Sequence, residues 1–240
     1  MIKILFAVIC AVAMGITPFF VKAQKNGPCA KSMLLKMTGA TGYVAIGLLG
    51  VYISGDGFSV FDKVMLGALI ASWLGDLFLH STKMWSIVIG FFGFLSAHFF
   101  FIAAYSTEIS ALLPEQSFFV PWQIAAVIII DALFLFFTVK KGFNFKGIIK
   151  VGILVYGAVI TTMMCKAVQL GYTVISAGLE NAVITAVVAI IGALLFCMSD
   201  FSISILMFVE GQKQNYPLKM FNMLTYFAAE LLLASLTLSM

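Results

Sequence analysis

Long apolar runs, separated by short connections that carry lysine, dominate the chain. The runs cover 4–21, 33–54, 61–79, 84–105, 118–139, 147–168, 182–208 and 218–238. Each is close to the roughly 20 residues that cross a hydrocarbon core as a helix. A backbone in lipid must satisfy its own hydrogen bonds, so runs of this length predict helices. The pattern predicts an all-α, polytopic membrane protein, a single transmembrane domain over residues 1–240 built from a bundle of about eight transmembrane helices. The first run has some traits of a signal peptide: Lys3 precedes it and Val21-Lys22-Ala23 follows. Its apolar stretch is long, however, and Lys22, Lys25, Lys31 and Lys36 come after it, which predicts a retained first helix.

Lysine placement predicts the orientation. The connections after runs one, three, five and seven hold Lys22, Lys25, Lys31, Lys83, Lys140, Lys141, Lys146, Lys213 and Lys219, with Lys36 and Lys150 just inside the helices that follow. The other side holds Lys3, Lys63 and Lys166, together with Asp56, Glu108, Glu115 and Glu180. By the positive-inside rule both termini lie on the non-cytoplasmic face. Runs three and seven then point the same way, and each contains a Gly-Ala-Leu triplet (67–69 and 192–194) followed within about two turns by an Asp. This is a weak hint of a repeated four-helix unit.

Composition narrows the picture. The chain is 62% hydrophobic and only 10% charged, where a soluble domain carries about 25% charged residues. The net charge of +4 comes from lysines scattered singly between apolar runs, which argues against nucleic acid as a partner. All fourteen basic residues are Lys, so the bidentate fork that often grips phosphate is missing. Cys10, Cys29, Cys165 and Cys197 form no CxxC pair and read as packed free thiols. No metal-type Cys/His grouping is present, and the chemistry considered below needs no metal or cofactor.

Several residues do not belong in lipid. Asp76, Asp131, Asp200 and Glu230 fall within predicted helices, as do His98 and Lys166. An acid at a helix centre costs about 2.5–3.5 kcal/mol on insertion scales, so these side chains should face the bundle interior. Helical spacing groups them. Gly67, Ala71 and Gly75 form a small-residue stripe that allows close helix approach, with Ser72 and Asp76 beside it. Gly90, Phe94 and His98 share a face, with Tyr105 two turns on. Tyr156 and Met163 share another, and Asn222, Tyr226 and Glu230 make a polar line in the last helix. Asp131 has no polar companions at helical spacing and reads as structural. The predicted topology puts Asp76 and Asp200 in the cytoplasmic half with Lys36, Glu230 nearer the middle and His98 in the outer half. That arrangement predicts an acidic, partly hydrated cavity opening inward.

In this order the residues resemble the lysoplasmalogenases, also called YhhN-like proteins. The resemblance rests on Lys36 in Leu34-Leu35-Lys36, with Lys31 as a fallback, and on Gly75-Asp76. It continues through Gly90, Phe94 and His98 followed by Tyr105, then Tyr156 with Met164 and Ala167. It ends with Gly192-Ala193, Phe196, Ser199-Asp200 and Tyr226-Phe227. The resemblance implies hydrolysis of the vinyl ether bond of a lysophospholipid substrate, a lysoplasmalogen with an ethanolamine or choline head group. The products are a fatty aldehyde and a glycerophospho-alcohol. The resemblance also implies a multi-pass protein of a bacterial cytoplasmic membrane, and leaves any oligomer open. Glu230 departs from the Gln that usually follows the final Tyr-x-x-Ala.

Vinyl ether hydrolysis needs an acid to protonate carbon, an anion beside the resulting oxocarbenium ion, and a base for water. Two carboxyls in different environments meet similar demands in glycosidases. The candidate catalytic residues are therefore Asp76 and Asp200, with the division of labour open. Ser72, His98, Tyr105, Tyr156, Ser199, Tyr226 and Glu230 are candidates to orient substrate or water, and Lys36 to meet the phosphate. The same intramembrane acids also suit a proton-coupled transporter. An intramembrane aspartyl protease fits less well, because Trp73 stands where its Gly-x-Gly-Asp motif needs Gly. A non-catalytic lipid binder is the third alternative.

Overall fold

In the computed structural model, which describes residues 2–55, 57–143 and 148–239 apart from the side chains of 2 and 148–150, Pro18 divides the first apolar run. The pieces are α1 (Ile2–Gly15) and α2 (Thr17–Ala23). Proline lacks an N–H and crowds the preceding turn, and the Thr17 hydroxyl donates to the Ala13 carbonyl (3.2 Å) at the break. The chain continues through α3 (Ala30–Ser54), α4 (Val60–Leu79), α5 (Met84–Leu112), α6 (Pro121–Lys140), α7 (Ile148–Ser176), α8 (Ala182–Phe208) and α9 (Tyr216–Ser235). A 3₁₀ turn over Leu236–Leu238 follows. Asp56, Lys146 and Gly147, used above for topology and helix ends, lie outside the described residues, as does the side chain of Lys150.

Seven spans among the described residues are long and apolar enough to cross a membrane, with α1 and α2 counted as one. The chain is thus an all-helical, multi-pass membrane bundle. The remaining helix, α4, has 20 residues but carries Asp62, Lys63 and Asp76. It nevertheless runs alongside α5, with Gly67 at Phe100, Gly75 at Gly93 and Leu79 at Gly90. Its charge is tolerable because Asp62 and Asp76 are buried in protein.

Two helices are longer than their apolar runs. Helix α5 reaches Leu112 rather than stopping at 105, with Ile109 buried in the added turns. Helix α7 continues past 168 to Ser176, where its polar Gln169 and Thr173 are buried against protein rather than exposed as a loop. With α5 extended, His98 stands at the middle of its helix.

Packing follows one scheme in both halves of the chain. The closest pairs are α4 with α5 and α8 with α9. Helix α3 lies on α4 as α7 lies on α8, and α1 lies on α3 as α6 lies on α7. Each half also crosses to the other in the same way, α3 against α9 and α7 against α5. The closeness of α4 and α5 has a cause in the sequence. A Cβ on Gly93 would meet the Gly75 Cα and N at 2.9 Å, and one on Gly90 would meet the Leu79 N at 2.7 Å. The small-residue stripe of α4 therefore meets glycines on α5, backbone to backbone.

Candidate functional site

Asp76 ends the small-residue stripe, so close packing of α4 carries its carboxylate into the bundle. It is 1% exposed. Lys36 Nζ pairs with Oδ1 at 2.9 Å and donates to the Asp76 carbonyl at 3.3 Å. The other oxygen, Oδ2, accepts the hydroxyls of Tyr226 (2.7 Å) and Tyr43 (3.1 Å). The two tyrosine oxygens are 3.2 Å apart. A buried carboxylate is sustained here by a counter-charge and two phenol donors, the condition under which such a charge survives away from water.

Asp200 has a different shell. Its Oδ2 lies 3.0 Å from His98 Nε2 and accepts the Tyr156 hydroxyl at 3.1 Å. His98 Nε2 and the Tyr156 hydroxyl are themselves 3.1 Å apart, and Met163 Sδ lies 3.3 Å from His98 Nδ1. No lysine joins this centre among the described ion pairs, and the Asp200 side chain is 13% exposed. Aromatic rings connect the two centres. Phe196 contacts His98 edge-on at 4.7 Å and Tyr226 at 5.7 Å, and Phe94 contacts Tyr226 from the other side at 5.7 Å.

Glu230 is the third acid of this core. It is fully buried, and neither carboxyl oxygen has a partner at hydrogen-bonding geometry. It lies within electrostatic reach of both Asp76 and Asp200, with Ser72 and Tyr226 facing it. The Ser72 and Tyr105 hydroxyls are likewise buried and unpartnered. Tyr105 stacks on Phe101 (6.4 Å) and joins neither aspartate. Ser199 is taken by the last helix: Asn222 Nδ2 donates to its carbonyl (2.7 Å) and hydroxyl (3.0 Å). Of the residues predicted from sequence, Lys36 and Tyr226 join Asp76, and His98 and Tyr156 join Asp200. Ser72, Tyr105, Ser199 and Glu230 lie outside both hydrogen-bonded shells. Lys36 is committed to Asp76, where the sequence reading had it meeting the phosphate. Asp131 sits apart on α6, with Oδ1 3.2 Å from where a Cβ on Gly157 would lie.

Sequence reading missed Tyr43. The signal was present: Ser32, Lys36 and Tyr43 recur at helical spacing on one face of α3. It also missed His80, one turn beyond Asp76. His80 Nε2 lies 3.1 Å from the Ser32 hydroxyl and 3.3 Å from the Cys29 carbonyl. Burial holds the His80 imidazole below its ordinary pKa, opposed in part by the Cys29 carbonyl, while the Lys36 charge lowers it further. Cys29 caps α3 in a reciprocal box with Ser32, and the Ser32 hydrogen bonds to its sulfur lower the pKa of that exposed thiol. Among the described residues no group of three or more His, Cys, Asp or Glu could hold a metal ion.

Two carboxylates, each hydrogen-bonded within its own shell, can hold, take up and deliver protons. Neither a curated protein nor a solved structure matches the chain. The model of the YhhN family matches residues 31–237, a region that includes every side chain of both centres, and the chain belongs to that family.

Proposed function

We propose that the two centres hydrolyse the vinyl ether bond of lysoplasmalogens. The observation that carries this reading is the unequal pair of buried carboxylates in a YhhN-family chain, one locked by a lysine and the other coupled to a histidine. The bond demands that pair. A proton is added to the vinyl carbon remote from oxygen, which leaves an oxocarbenium ion. Water adds to the cationic carbon and loses a proton, giving a hemiacetal. The hemiacetal then collapses to a fatty aldehyde and the glycerophospho-alcohol.

Asp200 with His98 is the proton-handling centre. It is the more accessible carboxyl, its neighbours Tyr156 and His98 can pass a proton, and it can take one from the attacking water. Asp76 is the fixed anion. Held by Lys36, Tyr43 and Tyr226, it keeps its charge and faces the developing cation from a site that needs no rearrangement. Glu230, between the electrostatic fields of both, supplies a further carboxyl in place of the family's usual Gln. The protein is a multi-pass membrane hydrolase in this reading, set in a bacterial cytoplasmic membrane with both termini on the non-cytoplasmic face. A reporter fused to the C-terminus checks that orientation, since activity in the cytoplasm reverses it.

The decisive measurement uses purified protein with matched vinyl-ether and ester lysolipids, assayed for aldehyde. Aldehyde from the vinyl ether and none from the ester is the expected result. No aldehyde at any pH, combined with ion-driven uptake into liposomes, replaces hydrolysis with transport.

A further inference from the structure

At the end of the bundle opposite Cys29 and His80, a second polar cluster lies beneath the connection between α5 and α6. Its centre is Lys166 on α7, only 1% exposed. Lys166 Nζ donates to the Phe118 carbonyl and to Gln169 Oε1 (3.0 Å), and sits 4.1 Å from the centre of the Phe118 ring. Gln169 Oε1 is already shared with Gln123 Nε2 (2.7 Å). No carboxylate pairs with Lys166 among the described ion pairs.

The donor and acceptor count is lopsided. Gln169 Nε2 and the Thr173 hydroxyl, at helical spacing after Lys166, are buried and have no partner. Both residues are at least nine-tenths buried. The nearby acceptors, Gln169 Oε1 and the Phe118 carbonyl, are already in use. Buried donors normally find acceptors, and orphaned ones call for an explanation. A cation with two spare neutral donors and no acid is the donor set of an anion site. The segment from Leu113 to Pro121, whose Phe118 carbonyl Lys166 holds, bounds a hollow of about 460 Å³ that the three buried side chains do not themselves line. Phe119 borders that hollow and also lies 5.8 Å from Lys166 Nζ. Glu115 is exposed on its wall and forms no ion pair with the lysine.

We propose that Lys166, Gln169 and Thr173 bind a phosphate group, as inorganic phosphate or as the head group of a phospholipid. Lysine is an established phosphate ligand as a point charge, and the chain has no arginine to serve instead. The amide and hydroxyl supply the remaining hydrogen bonds to the phosphate oxygens. This site is separate from both aspartate centres and does not rest on the hydrolase reading.

The test titrates purified full-length protein in neutral detergent by calorimetry and thermal melting. The probes are inorganic phosphate, dioctanoyl phosphatidylglycerol in micelles, and dioctanoylglycerol, which lacks phosphate. Wild-type protein should bind and be stabilised by at least one phosphate-bearing probe and not by dioctanoylglycerol. A response to inorganic phosphate identifies a free-anion site, and a response to the phospholipid alone identifies a head-group site. Lys166→Met should weaken that binding at least tenfold. Gln169→Glu is the second variant, because it gives the lysine a carboxylate while keeping the side-chain shape. It should stay folded and lose phosphate binding to the same degree. The proposal is overturned if neither phosphate probe binds wild type better than dioctanoylglycerol. It is equally overturned if Gln169→Glu binds phosphate as wild type does, for then Lys166 only pins the Phe118 segment.

Discussion

Asp76 and Asp200 begin from similar stretches of sequence and end in opposite physical states. Each follows a Gly-Ala-Leu segment on a helix that packs most closely on the next helix in the chain. Each takes partners from the corresponding helices of the repeated scheme: Asp76 from α3 and α9, Asp200 from α7 and α5. The partners differ in kind. The first half supplies Lys36 and Tyr43, the second Tyr156, and the crossing helix supplies Tyr226 to one and His98, itself against Met163, to the other. A lysine and two phenols immobilise charge, whereas a histidine and a phenol can exchange protons. Two near-equivalent positions thus acquire unequal surroundings through a few side chains.

That contrast predicts different consequences for the same chemical change. Asp76→Asn leaves Lys36 buried without a counter-charge, so stability should fall by about 3–5 kcal/mol, measured by thermal or denaturant unfolding in detergent. Adding Lys36→Met should recover much of that stability but none of the aldehyde release. If the double variant is as unstable as the single one, the ion pair is not what holds Asp76. Asp200→Asn, by contrast, should keep the fold and lose aldehyde release by roughly 10²–10⁴-fold, the range for general acid–base groups. Near-normal turnover there would end the assignment of Asp200 as the proton-handling centre.

A smaller effect tests the backbone contact that sets the Asp76 centre. Gly93→Ala forces a Cβ against the Gly75 backbone, which cannot rotate away as a side chain does, and should cost about 1–3 kcal/mol as an overpacking change. Gly152→Ala on α7, where a Cβ meets nothing within 4 Å, is the control and should be neutral or slightly stabilising. Equal unfolding midpoints for the two variants would show that close approach of α4 and α5 is not required. The smallest effect concerns the rim beside Asp76. His80 stays neutral in the fold at pH values where it would charge when unfolded, because burial depresses its folded pKa below the ordinary imidazole value of 6.5. Its contribution is therefore present above that value and lost as pH falls through the folded pKa. Wild-type unfolding midpoints should decline over that range, and His80→Gln should flatten the decline. An unchanged slope in the variant would assign the pH dependence to other groups.

The membrane class, the helical spacing of Asn222, Tyr226 and Glu230, and the two aspartates could all be read directly from the chain. Apolar length dictates spanning helices because a backbone in lipid has no other source of hydrogen bonds. Charge inside such a helix must face protein, which is why the acids pointed to the core before any packing was known. Helix ends were less legible. Gln169 and Thr173 look like loop residues in a one-dimensional reading, but α7 continues through them to Ser176 and buries both.

Partner identity belonged to the tertiary structure alone. Helical periodicity places a residue on a face but does not say which other helix that face meets. The chain therefore could not reveal that Lys36 pairs with Asp76, that Tyr43 completes the same shell, or that His98 reaches Asp200. Nor could it show that Ser199 is spent on Asn222. Those pairings join residues from 23 to 102 positions apart in the chain, and they follow from backbone contacts such as Gly93 on Gly75, which fix how close and at what height the helices meet. Sequence determined which groups had to be hidden from lipid, and packing decided which of them hide together.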